Sequence, residues 1–195
     1  MLIKINKLFF SLLLVLSLLA CANQAVNTQR YTLPETFQSS EQASTPEAQV
    51  LVIGSISLAE FLDSERIALQ MDDITLHQAN EHLWAENLGQ QIRRGLRSRL
   101  SKQLPELLVV SDSRGLKQTA LNLQLDIEQF HGHFTGKAVS SGQWRLQDSK
   151  GNMLLISPFT IETPLASDGY PALVRALGSN LDKLAEKLAA EITNL

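Results

Sequence analysis

Thr119-Ala120-Leu121-Asn122-Leu123-Gln124-Leu125-Asp126-Ile127-Glu128 is the stretch that decides the fold. Leu121, Leu123, Leu125 and Ile127 point one way, and Asn122, Gln124, Asp126 and Glu128 point the other. Alternation with period two predicts a sheet strand with one buried and one wetted face. Residues 138–147 and 153–161 read as its neighbours. Gly132, Gly136 and Gly151 stand in the connections, as in antiparallel hairpins. Upstream, Val50-Leu51-Val52-Ile53 is a continuous apolar run, read as a buried strand that Gly54-Ser55 breaks. Residues 66–71 and 74–78 are predicted strands around Asp72-Asp73, and residues 107–110 another. Tyr31-Thr32-Leu33-Pro34 is a short strand ended by proline, and residues 38–49 read as a polar loop or linker.

Two stretches change period. From about residue 83 to 103, Trp84, Leu88, Ile92, Leu96 and Leu100 recur every four residues, and Pro105 stops the pattern. A strict spacing of four drifts about 40° per step on a 3.6-residue helix. The stripe therefore winds, which suits a helix lying across a twisted sheet. From residue 170 to 192, Leu173, Leu177, Leu181, Leu184, Leu188 and Ile192 form a second amphipathic stripe. The expected class is α+β, a single domain over residues 31–195. It has an antiparallel or mixed sheet packed by two long amphipathic helices.

The N-terminus has a different grammar. Lys4 and Lys7 precede an apolar run from residue 8 to 19, and Leu18-Leu19-Ala20 leads into Cys21, the only cysteine. Charged start, apolar core and small residue before the cut make a secretory signal, and the cysteine makes it a lipoprotein signal. The run is shorter than the roughly 20 residues a membrane-spanning helix needs. The expected organisation is a cleaved signal over residues 1–20, then a lipidated tether over 21–30 starting at Cys21. The formal charge of −3 becomes −5 once the two lysines are removed. Such mild acidity argues against a nucleic-acid partner. With its single thiol committed to lipid, the domain has no disulfide.

Catalytic motifs are missing from the sequence. It holds no G-x-S-x-G elbow, P-loop, G-x-G-x-x-G or H-E-x-x-H. Gly54-Ser55-Ile56-Ser57 lacks the closing glycine and reads as a turn. His131-Gly132-His133, between Phe130 and Phe134, reads as a hairpin loop short of metal ligands. No catalytic residue, metal ligand or cofactor is assigned. Arg93, Arg94, Arg97, Arg99 and Lys102 share the first long helix. They form either a solvated face favoured by the helix dipole or a docking strip for acidic protein or lipid headgroups. Trp84 and Trp144 read as core anchors.

Several of these segments together resemble a known family. Behind the lipobox come Tyr31-x-Leu33, Gly54-Ser55-Ile56-Ser57-Leu58-Ala59-Glu60-Phe61-Leu62-Asp63 and Leu83-Trp84-Ala85-Glu86-Asn87-Leu88. Trp144-Arg145-Leu146 and Tyr170-Pro171-Ala172-Leu173-Val174 follow. In this order they are similar to the auxiliary lipoproteins of ABC-type and MCE-type transport systems. The family often has proline where Ser55, Ala59 and Asn87 stand. The resemblance implies a non-enzymatic subunit working beside an MCE-domain membrane protein and its permease. The implied cargo is phospholipid or another apolar molecule. The implied place is the periplasmic face of the outer membrane, since Ala22 follows the cysteine and no sorting aspartate comes next. Ring-shaped partner assemblies make a homo-oligomer a candidate state. A scaffold lipoprotein for another envelope machine shares the lipobox and the lack of catalytic motifs. A lipid hydrolase would depend on Ser55 or His131.

Overall fold

The alternating stretch lies in the longest strand, at the middle of one mixed sheet. The computed structural model describes residues 27–35, 49–112, 114 and 119–195. Cys21, the apolar leader and residues 38–48 of the expected linker lie outside the described residues. In chain order the elements are β1 (Gln29–Tyr31), β2 (Gln49–Leu58), a 3-10 turn (Glu60–Leu62), β3 (Arg66–Gln70) and β4 (Leu76–Trp84). Then come α1 (Leu88–Gln103), β5 (Leu107–Val110), β6 (Ala120–His133), β7 (Lys137–Gln147), β8 (Met153–Pro164) and α2 (Tyr170–Thr193).

β6 organises the sheet because its two edges carry different partners. One edge pairs antiparallel with β7, from Asn122↔Gln147 to His133↔Lys137. The other edge is shared. Its first half pairs parallel with β2, from Val50↔Ala120 to Leu58↔Ile127. Its end pairs parallel with β3 at Leu69↔Gly132 and Gln70↔His133. β5 extends the sheet beside β2, β4 and then β1 extend it beside β3, and β8 lies outside β7. The sheet thus has a turn end, where β3 and β6 finish, and a base end, where β2, β5 and β6 begin. About 40 Å of strand separates Gly132 from Ala120.

Both helices lie against the apolar side of this sheet. Leu88, Ile92, Leu96 and Leu100 of α1 are buried, as are Leu173, Leu177, Leu181, Leu184, Leu188 and Ile192 of α2. Each such side chain contributes about 1.5–3 kcal/mol by leaving water, before chain entropy is set against it. The 24 residues of α2 rise about 36 Å, close to the span of β6. The helices cross where Gly95 leaves room for Leu181; a Cβ on Gly95 would stand 2.8 Å from Leu181 Cδ2. Asn180, wholly buried, donates from Nδ2 to Ala138 O at 3.2 Å, Ser140 Oγ at 3.0 Å and Ile161 O at 3.3 Å. One amide thus fastens α2 to both β7 and β8.

Several expected boundaries move, and the strand expected over 74–78 runs over Leu76–Trp84. α1 starts at Leu88, after the expected residue 83, because Trp84 and Ala85 spend their N–H groups on Glu65 O and Tyr31 O in the sheet. Asn87 then caps the helix, its Oδ1 accepting from Gln90 N. Gly54-Ser55 does not end β2; it is absorbed as a shift in register between Ile53 and Ile56. His131-Gly132-His133 is strand rather than loop, and the hairpin turns beyond His133. The short N-terminal strand is Gln29–Tyr31, so Leu33 and Pro34 fall past it. A bulge at Glu128, opposite Gly142, explains why the alternation was legible only to that point. The extra residue reverses which side chains face the helices, so Phe130 enters the core and Gly132 meets Leu173.

Candidate docking surfaces

After β1, residues 32–35 cross the helices as a strap. Leu33 is buried, and its N–H donates to Gln91 Oε1 at 2.8 Å. Gln91, wholly buried, donates from Nε2 to Glu86 O at 3.0 Å. Pro34 packs on Gly178, where a Cβ would come within 2.8 Å of the proline ring. Glu35 receives two hydrogen bonds from Arg94 Nε, at 2.9 and 3.0 Å, with its carboxylate almost wholly buried. The polypeptide arriving from Cys21 is therefore clamped to both helices within a few residues of entering the domain.

This clamp takes up part of the expected basic strip. Arg94 also pairs with Glu86 at 2.8 Å. That hydrogen bond holds the Glu86 carboxyl below the usual range and raises the Arg94 guanidinium further, helped by Glu35 and opposed by burial. Arg99 donates to Asp182 Oδ1 at 2.6 Å, to Gly95 O at 3.2 Å and to Pro34 O at 3.0 Å. It ties strap, α1 and α2 together. Arg93 is half-buried, with its Nε unpartnered. Arg97 and Lys102 are exposed. Sequence reasoning grouped these five by helix; the structure divides them between the clamp and the surface. The strap itself was missed, because Gln91 gives no sequence signal beyond being a polar residue beside an apolar stripe.

The hydroxyl and imidazole groups weighed from sequence do not converge. Ser55 is exposed in β2 beside the stretch 123–125 of β6. His131 lies six residues beyond Leu125, about 20 Å along the strand. His131 is buried beside Phe61, ring centroids 6.2 Å apart, with Nδ1 2.9 Å from Gly132 O. Burial pushes its pKa below the ordinary value. Among the described residues no group of three His, Cys, Asp or Glu side chains is placed to hold a metal ion. Trp84 and Trp144 are both buried core residues.

Apolar surface collects at the two ends of the sheet. At the base, Leu104, Pro105, Leu107, Leu121, Leu154 and Ile192 line a pocket of about 450 Å3. The start of β8 continues it, with Met153, Leu154 and Ile156 exposed on the outermost strand. At the turn end, Leu69, Gly132, His133, Leu165, Tyr170 and Leu173 line a smaller recess of about 120 Å3. A pocket of the base's size and apolar character can receive hydrophobic side chains or a segment of acyl chain. No helix among the described residues is long and apolar enough to cross a membrane.

The chain is a two-layer α+β domain with an apolar recess at each end of its sheet. Residues 31–189 match the family described as the ABC-type transport auxiliary lipoprotein component, and the chain belongs to that family. It is 30% identical over 178 residues to the intermembrane transport lipoprotein PqiC of Escherichia coli K12, covering 91% of this chain and 93% of that protein. PqiC of Shigella flexneri is similar to the same extent. Among solved structures, an uncharacterized protein superposes with TM-score 0.73 at 30% identity, over 85% of this chain and 99% of that one. A Xanthomonas campestris protein shares the fold, with TM-score 0.65 at 18% identity, over 82% and 92% of the two chains.

Proposed function

We propose that the chain is a non-enzymatic auxiliary subunit of an intermembrane lipid transport system, anchored through Cys21 at the periplasmic face of the outer membrane. Its folded domain docks the periplasmic part of the machine, an MCE-domain protein with an associated permease, and the cargo is phospholipid or another apolar molecule. The likeness to an intermembrane transport lipoprotein along 91% of the chain carries this reading. The base pocket gives the domain a surface suited to an apolar segment of that partner. Arg97 and Lys102 on α1 complete the docking face. Diacylglycerol on the Cys21 thiol together with acylation of the new amine makes release from a membrane very slow, where one chain would bind marginally.

Affinity purification of the full chain from membranes in mild detergent tests the proposal. An MCE-domain protein should co-purify, and Leu154→Arg at the pocket rim should reduce its recovery without altering the fold. An MCE protein absent from the wild-type eluate refutes the reading.

A further inference from the structure

The turn end carries an apolar feature that the docking role does not use. In the β3–β4 hairpin, Met71 is 54% exposed, Ile74 88% and Leu76 45%. In the neighbouring β6–β7 turn, Phe134 is 54% exposed. Parallel pairing of Gln70 with His133 puts both turns at one end of the sheet. Scattered exposed hydrophobics are ordinary; four on two adjacent turns mark a contact surface.

Both turns are built. Asp72 Oδ1 accepts from Ile74 N at 2.9 Å and from Thr75 N at 2.7 Å, and Met71 N donates to Thr75 O at 2.8 Å. These bonds hold the hairpin with Ile74 outward. In the second turn, Gly136 at φ 77° closes the loop by donating to His133 O, and Phe134 stacks on His133 at 4.3 Å.

Chain direction identifies what covers this end. β1 runs parallel to β4, with Gln29 beside His82. β4 runs away from the hairpin, so the polypeptide enters β1 from the hairpin side. Leu83 pairs with Arg66 and Leu76 with Gln70, so His82 stands about four residues of β3 from the hairpin, roughly 13 Å. The eight residues from Cys21 to Gln29 reach at most about 29 Å. The base lies about 30 Å the other way along the sheet, so a tether heading there would have to reverse direction at β1 and spend its whole reach. The turn end is therefore the end that an anchor at Cys21 holds nearest its membrane.

We propose that Met71, Ile74, Leu76 and Phe134 form a membrane-contact tip that seats in the headgroup zone of the surface holding Cys21. This rests on the anchoring reading above. The depth is shallow, because Asp72, Asp73 and Asp168 are exposed near the same turns and Lys137 is engaged by Glu162. That balance suits zwitterionic headgroups and gains nothing from anionic ones. The base pocket then faces away from the membrane, toward an assembly arriving across the periplasm.

The test uses the lipidated mature chain carrying Ile74→Cys, labelled with a polarity-sensitive dye and reconstituted into phosphatidylcholine–phosphatidylethanolamine vesicles. A second preparation carries the dye at Glu106→Cys on the base. Expected are a blue shift and loss of iodide quenching at position 74, with quenching by spin-labelled lipid, while position 106 stays aqueous. Added phosphatidylglycerol should leave the shift unchanged or reduce it. Mass spectrometry of the same preparation reads the acylation of Cys21. An unacylated Cys21 overturns both the anchor and the tip. An acylated chain whose residue 74 stays in water overturns the tip alone. Concentration-dependent dye burial without vesicles assigns the surface to a second copy of the chain and equally overturns the tip.

Discussion

Gln91→Met should unfasten the strap that joins the N-terminal segment to the helices. The substitution keeps length and volume and removes both hydrogen bonds of a wholly buried amide, at 2.8 Å from Leu33 N and 3.0 Å to Glu86 O. Leu33 N–H is left without a partner, costing about 1–3 kcal/mol where it stays buried. Glu86 O is partly exposed and recovers water, so its loss is nearer 1 kcal/mol. The chain can instead release the strap, which forfeits burial of Leu33 at about 1.5–3 kcal/mol. Either route gives a loss of about 2–3 kcal/mol. For a domain of this size each kcal/mol moves Tm by about 2–4 °C, so the expected drop is about 5–10 °C. Thermal denaturation measures the drop, and hydrogen exchange locates it, with faster exchange over residues 31–35 and an unchanged β6. A Tm within about 1 °C of wild type, with the strap still protected, would refute the clamp.

Cys21→Ser should leave Tm unchanged and move the chain from the membrane to the soluble fraction; membrane retention at wild-type level contradicts the anchor. Gly142→Ala should cost about 3 kcal/mol or more, read by urea unfolding. Gly142 sits at φ 153°, and an added Cβ would collide with the Asp126 backbone across the bulge. His131 is buried with its pKa below the ordinary 6.5, so the unfolded chain binds its proton first as pH falls. Its neutral form therefore supports full stability above pH 6.5, and that support declines below it, by at most about 1.4 kcal/mol per pH unit. His131→Leu should flatten the difference in unfolding free energy between pH 7 and pH 5; an unaltered slope means that another group supplies it.

Much of this fold was legible because its elements are simple in period. The alternation over 121–127 and the stripe from Leu173 to Ile192 each declare a single buried face, and the structure buries those residues. Resolution failed where a residue's role depends on a distant partner. Trp84 continues the four-residue spacing of α1, yet its N–H is taken by Glu65 and its backbone belongs to β4. His131-Gly132-His133 carries loop-like residues, yet a bulge carries β6 through them. Arg94 and Arg99 look like neighbours of Arg97 until Glu35, Pro34 and Asp182 arrive from elsewhere in the chain.

By itself the sequence determined the class of domain, the buried faces of its main strand and two helices and the lack of a catalytic motif, and it raised the expectation of an anchor at Cys21. These are local properties, carried by periodicity and by contiguous motifs. Only the tertiary structure decided that two arginines hold the strap, that one end of the sheet is a pocket and the other a pair of apolar turns, and that β1 runs away from those turns. Those facts depend on strand direction and on contacts between residues far apart in the chain, such as Leu33 with Gln91 and Gln29 with His82. Hydrophobic burial specifies which face turns inward; the pairing of distant strands specifies which end meets which partner.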